Sequence, residues 1–151
     1  MKISIIGMNK KELLSGKDLA DMGNEVIHVC KDNAQVEDMK KGLYSMKGKE
    51  IHKVANNNNI EFTSNMQEAL SQSNMCFIAE NDTEDVGELF HILATAKEIG
   101  TYMNAHTFIV DRSSLPINRT EQIKETIQHE LDKRSSKLTF EVISNPNFLR
   151  A

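Results

Sequence analysis

The residue types able to do chemistry gather in a few short stretches of this sequence. The first is Lys2-Ile3-Ser4-Ile5-Ile6-Gly7, an apolar run that breaks at glycine and continues as Met8-Asn9-Lys10-Lys11-Glu12 into a helical pattern. Strand, glycine, helix is where a dinucleotide-binding fold cradles a pyrophosphate, because backbone N–H groups and the positive helix end converge there. Gly7, Met8, Asn9, Lys10 and Lys11 are therefore candidate cofactor contacts. Only Gly7 survives of the glycines that such a turn normally carries. Other candidates are weaker. The five histidines show no ligand-like spacing, so no metal site is expected. Ser113, Ser114 and His106 do not make a nucleophile elbow. Lys40, Lys41, Lys47, Lys49 and Lys53 read as a solvated basic face, and the methionines as core filler.

Composition bounds what these residues can serve. A chain of 151 residues suits one domain with a real core. The net charge of −4 gives no reason to expect nucleic acid or an acidic membrane as partner. No apolar run approaches the roughly 20 residues that span a bilayer. The chain enters a strand pattern at once, so no secretory signal is expected. Cys30 and Cys76 lie in apolar runs and read as buried thiols of a reducing compartment. A cytoplasmic location follows as the expectation, and the N-x-Thr triplets at Asn81 and Asn118 then carry no glycosylation meaning.

The elements that must position the turn alternate along the chain. After the first strand, Leu13, Leu14, Leu19 and Met22 give one face of a three-turn helix, stopped at Gly23. Glu25 to Cys30 is a second strand, and Val36 and Met39 mark a short helix. Ile51 and Val54 hint at another, before a polar loop at 56–59. Ile60-Glu61-Phe62-Thr63 is a strand, and Asn65 with Glu68 forms a capping box over the helix Met66 to Leu70. Met75 to Ala79 is continuously apolar, as strands covered on both faces are. Val86, Leu89, Phe90 and Leu93 give a helix face ending at Gly100. Thr107 to Asp111, a helix on Ile123, Ile127 and Leu131, and Phe140 to Ser144 complete the pattern. The expected fold is α/β: one doubly wound, mostly parallel Rossmann-like sheet of about six strands, with helices on both faces, over residues 1–151. Its crevice lies beyond the carboxyl ends of the strands, at Gly7 to Glu12, Cys30 to Asp32, Glu80 to Thr83, Arg112 to Pro116 and Asn145 to Arg150.

Those segments make the chain resemble the N-terminal domain of the UDP-glucose/GDP-mannose dehydrogenase family. MKISIIG, LADMGNEVIHV, FTSNMQEAL, FIVDRSSLP and SNPNFLR each match the family pattern, in its order and near its spacing. The resemblance implies NAD as cofactor and two-step oxidation of a nucleotide-sugar C6 alcohol to a carboxylate. It also implies a following helix and substrate domain, with the nucleophilic cysteine, which this sequence does not include. The family's G-x-G-x-x-G falls on Gly7, Asn9 and Glu12. Asn9 adds a side chain where phosphate should sit, and Glu12 a carboxylate in the first helical turn. A like charge about 4 Å from a phosphate costs about 4 kcal/mol at an effective dielectric near 20, roughly a thousandfold in affinity. The ribose-binding acid falls on Cys30, and Asp32 nearby either caps the turn or substitutes for it. The family's Gly-Thr-Pro becomes Asn81-Asp82-Thr83, preceded by Glu80. Two catalytic remnants stand at Ser114, where the family places threonine, and Asn147, where it places a glutamate; an amide transfers no proton at neutral pH.

Three readings compete. The first is a stand-alone, diverged homologue of the cofactor domain, with NAD binding weak or lost, catalytically inactive alone. It acts as a binding or interaction module, pairing with itself or with a full-length dehydrogenase relative. The second is an NAD-binding fragment or subunit of a UDP-sugar dehydrogenase, completed by another chain. The third is a small nucleotide-binding sensor using Lys10, Lys11 or Arg112 as anion contacts.

Overall fold

The computed structural model describes residues 1–7, 10–30, 33–40, 59–78, 87–111 and 118–144. The predicted helix at Ile51 and Val54 lies outside them. Six strands and five helices alternate in this set: β1 (Lys2–Ile6), α1 (Lys10–Asp21), β2 (Glu25–Val29), α2 (Asn33–Lys40), β3 (Ile60–Thr63), α3 (Met66–Gln72), β4 (Met75–Ile78), α4 (Gly87–Tyr102), β5 (Thr107–Asp111), α5 (Asn118–Lys133) and β6 (Phe140–Ser144). The sheet order is β3-β2-β1-β4-β5-β6, and every neighbouring pair is parallel. This is the doubly wound Rossmann-like arrangement that the alternating pattern predicts.

Alternation along each strand divides the core into two layers. Ile3, Ile5, Val26, Ile60, Phe62, Phe77 and Val110 face Leu13, Leu19 and Ala20 of α1 and Val36 of α2. Ile27, Val29, Cys76, Ile78 and Ile109 face α3, α4 and α5 on the other side. Strands buried on both faces cannot alternate apolar with polar, which is why they read as continuous apolar runs. Order reverses between β1 and β4, the two central strands. Their carboxyl ends, with the start of α1, form the crevice.

Local chemistry fixes the helix ends. Gly23 follows α1 at φ 98°, a region glycine enters freely. There its N–H bonds Ala20 O at 3.0 Å. The Asn24 N–H bonds Leu19 O at 3.3 Å, and the two together close the helix in a Schellman turn. Asn65 caps α3 as expected, its Oδ1 accepting from the Glu68 N–H at 3.1 Å. The Asn65 N–H donates to Thr63 Oγ1 at 3.0 Å, which ties the end of β3 into the cap.

Three sequence-based expectations need correction. Met22 lies beyond α1 and is 77% exposed, so it is no part of the inward face. Phe90 is 79% exposed. Helix α4 instead buries Ile92, Ala96 and Ile99. Phe90 stands two residues before Ile92, a step that carries a side chain round to the opposite side of a helix. Gly100 does not end α4, which runs on to Tyr102. It lies where α4 crosses α5, and an added Cβ would come within 2.8 Å of both Ile127 O and Glu130 Cβ. The glycine is there for helix–helix approach, not for a stop.

Candidate functional site

The crevice is built around Gly7, the residue that leaves β1. Its φ is 139°. That value is open to glycine and strained for any other residue. Both of its backbone groups are held by β2. The Gly7 N–H donates to Val29 O at 2.9 Å. The Gly7 carbonyl lies 3.3 Å from Nδ1 of His28. A carbonyl only accepts, so this contact places the imidazole proton on Nδ1.

His28 is completely buried on the α1 face of the sheet, stacked on the Phe62 ring with centroids 5.6 Å apart. Its Nε2 is buried without a hydrogen-bond partner. That atom lies against Gly16 of α1, where an added Cβ would overlap it. Burial pushes the imidazole pKa down to about 4, against a smaller opposing contribution from the hydrogen bond to Gly7. The ring is therefore neutral at pH 7.

Helix α1 begins at Lys10 and Lys11, whose side chains lie outside the described set. Glu12 follows in its first turn and is completely buried. The sequence places this carboxyl near an expected anion; the fold tucks it inside rather than displaying it at the mouth. Glu12, Leu13, Gly16, Leu19 and Ala20 form the buried side of α1, a 3–4 spacing in which Glu12 and Gly16 are one turn apart.

Cys30 follows β2, half-buried, with its N–H donating to Thr63 O at 3.0 Å. It stands where the ribose-binding acid is expected. Cys76 lies inside the sheet and burial raises its thiol pKa to about 12, so it is no nucleophile at neutral pH. Asp111 ends β5 with its side chain buried, level with Ile78 on β4. His106 lies at the other end of β5, its Nδ1 2.7 Å from Thr139 Oγ1, and takes no part in the crevice.

Of the sequence-derived candidates, Gly7 and the start of α1 at Lys10 and Lys11 come together at the carboxyl end of β1. Met8, Asn9, Asp32, Ser114 and Asn147 lie outside the described residues, as do Glu80, Asp82 and Arg112. Sequence reasoning passed over His28, read only as part of a strand, and Gly16, read only as part of a helix. The available signals were a histidine at an inward position of an apolar run and a glycine in a helix interior, where it weakens the helix unless something approaches closely. Among the described residues no group of three or more His, Cys, Asp or Glu could hold a metal ion. Nor is any helix among them long and apolar enough to cross a membrane.

Comparison with known proteins agrees with this architecture. Residues 1–151 match the model of the UDP-glucose/GDP-mannose dehydrogenase family, NAD binding domain. UDP-glucose 6-dehydrogenase of Rhizobium meliloti is 30% identical over 158 residues, covering 99% of this chain and 35% of its own length. The enzyme of the same name from Pseudomonas aeruginosa is 26% identical, again over 99% of this chain and 35% of its own. A UDP-glucose dehydrogenase from Pyrobaculum islandicum superposes with a TM-score of 0.82 at 21% identity, over 99% of this chain and 36% of that one. The chain thus spans about a third of the length of these relatives. With a Rossmann-like sheet, a glycine turn at the end of β1 and a family match along its whole length, the chain belongs to the UDP-glucose/GDP-mannose dehydrogenase family, over that family's NAD-binding domain.

Proposed function

We propose that this domain is a diverged cofactor domain that binds NAD weakly or not at all, has no dehydrogenase activity by itself, and serves as a binding or interaction module. The observation that carries this reading is the burial of Glu12 in the first turn of α1. A dinucleotide turn keeps that position as glycine so that helix and strand pack closely beside the diphosphate. Glu12 puts a buried side chain at that position, where the fingerprint leaves none. The half-buried thiol of Cys30 offers no paired acceptors for ribose hydroxyls. The residues at hand therefore do not fit an ordinary NAD site, and no hydride step is routed through them.

Titration with NAD and NADH, followed by calorimetry and thermal shift, tests the reading. A ligand at 100 times its Kd stabilises a fold by about 2.7 kcal/mol, a shift that is easily seen. No shift at millimolar NAD is expected, nor turnover of UDP-glucose by this chain alone. Replacing Asn9 and Glu12 together by glycine should bring affinity in. Tight NAD binding by the unaltered chain refutes the proposal.

The retained Gly7 turn favours a second reading, an NAD-binding part of a UDP-sugar dehydrogenase whose remaining groups another chain supplies. Under it, NAD shifts the melting temperature only when a full-length relative is present. Under the first, a second copy or a full-length relative associates without NAD, which light scattering after gel filtration would register.

A further inference from the structure

A buried histidine is an expensive choice for the middle of an apolar layer. Position 28 faces α1 among Ile3, Ile5, Val26, Ile60 and Phe62, where valine or isoleucine would fill the space without a polar atom. The imidazole brings two penalties. Its Nε2 is left without a hydrogen-bond partner inside the protein. Helix α1 must also give up a side chain at Gly16, because any Cβ there would overlap Nε2 and come within 2.8 Å of Cε1. One polar contact is returned for these penalties, the hydrogen bond from Nδ1 to the Gly7 carbonyl.

We infer that His28 is a positioning residue for the crevice, a strut beneath the Gly7 turn. The imidazole donates Nδ1–H to the Gly7 carbonyl while Val29, the next residue, accepts the Gly7 N–H. Consecutive residues of β2 thus hold both backbone groups of one glycine. They fix it at a positive φ that an unsupported glycine would leave readily. Gly7 keeps its positive φ with no ligand to hold it. This deepens the proposal above, since it explains how a domain with a disabled diphosphate seat retains the glycine conformation at Gly7.

The test needs no ligand, so it stands or falls apart from the NAD titration. Nitrogen-15 NMR of the imidazole in the unaltered chain should show the proton on Nδ1 at pH 7. Asparagine and leucine at position 28 have nearly the same shape, but only asparagine offers an N–H near the place of Nδ1. In His28→Leu, hydrogen exchange at the Gly7 amide should quicken at least tenfold more than at Ile5 and Val29. In His28→Asn it should stay level with those two amides. A purely structural histidine would loosen all three amides together in both variants, and that result overturns the inference. Should His28→Leu fail to fold, the tautomer decides: a proton on Nε2 in the unaltered chain overturns it equally.

Discussion

Acidification is the most direct perturbation of the buried imidazole, and the structure sets its size. In the unfolded chain His28 takes up a proton near 6.5; in the fold burial delays this to about 4. Above 6.5 both states carry the neutral ring and the fold keeps its full stability. Between 6.5 and 4 the unfolded state holds the extra proton, so stability falls as pH falls. Below 4 both states are protonated and the loss from this group is complete. The interval of about 2.5 pH units corresponds to about 3 kcal/mol, or a drop in Tm of about 10 °C for a domain of this size. Other groups can change stability over the same range. The comparison that isolates His28 is therefore the difference between the unaltered chain and His28→Asn. Urea unfolding at half-unit steps from pH 7.5 to 4 would supply it. The two curves should converge as pH falls, because asparagine has no proton to gain. A gap that stays constant across the range refutes the reasoning, for it would mean that the ring titrates alike in both states.

The neighbouring packing gives further expectations. Gly16→Ala meets the His28 ring. It should destabilise by about 1 kcal/mol, since that overlap outweighs the helix propensity gained. In a His28→Asn background the same change should turn neutral or stabilising, and a double-mutant cycle in urea reads that reversal of sign. In Gly100→Ala the obstacle is the α5 backbone at Ile127, which no rotamer change can move. That substitution should cost about 1–3 kcal/mol, and thermal melts check it. Ser4→Ala breaks the buried hydroxyl contacts that link Ser4 in β1 to Ser73 and to Ala69 O at the end of α3. The loss should be about 1 kcal/mol, and the urea midpoint should fall with the slope unchanged.

What the sequence reveals here follows the range of the forces involved. The strands are legible because a two-faced sheet demands unbroken apolar runs, and the face that each crossover helix covers follows from its handedness. The Asn65 cap and the Gly23 stop are legible because each acts within a few residues of itself. Phe90 and Met22 mislead because periodicity marks an apolar stripe without fixing its phase against the sheet. Gly100 misleads because a stop and a close helix crossing ask for the same residue, and only α5, distant in sequence, tells them apart. At the crevice, Gly7 is legible through its place after an apolar run. His28 and Gly16 are not, since each makes sense only once α1 lies over β2.

That pair also accounts for how α1 stays close to the sheet without the usual glycine in its first turn. In the dinucleotide fingerprint the third glycine lets the helix settle onto the strand. Position 12 here carries a buried carboxyl side chain instead. The close approach is made at Gly16, one turn further along the same face, where Nε2 of His28 and Cδ1 of Ile5 fill the volume a Cβ would take. Helix and sheet therefore still meet, but the contact has shifted away from the helix end where an anion would lie. The contact at Gly16 holds α1 against the sheet one turn beyond position 12, where the side chain of Glu12 is itself buried. The close approach at Gly16 thus keeps α1 against the sheet although position 12 carries a side chain.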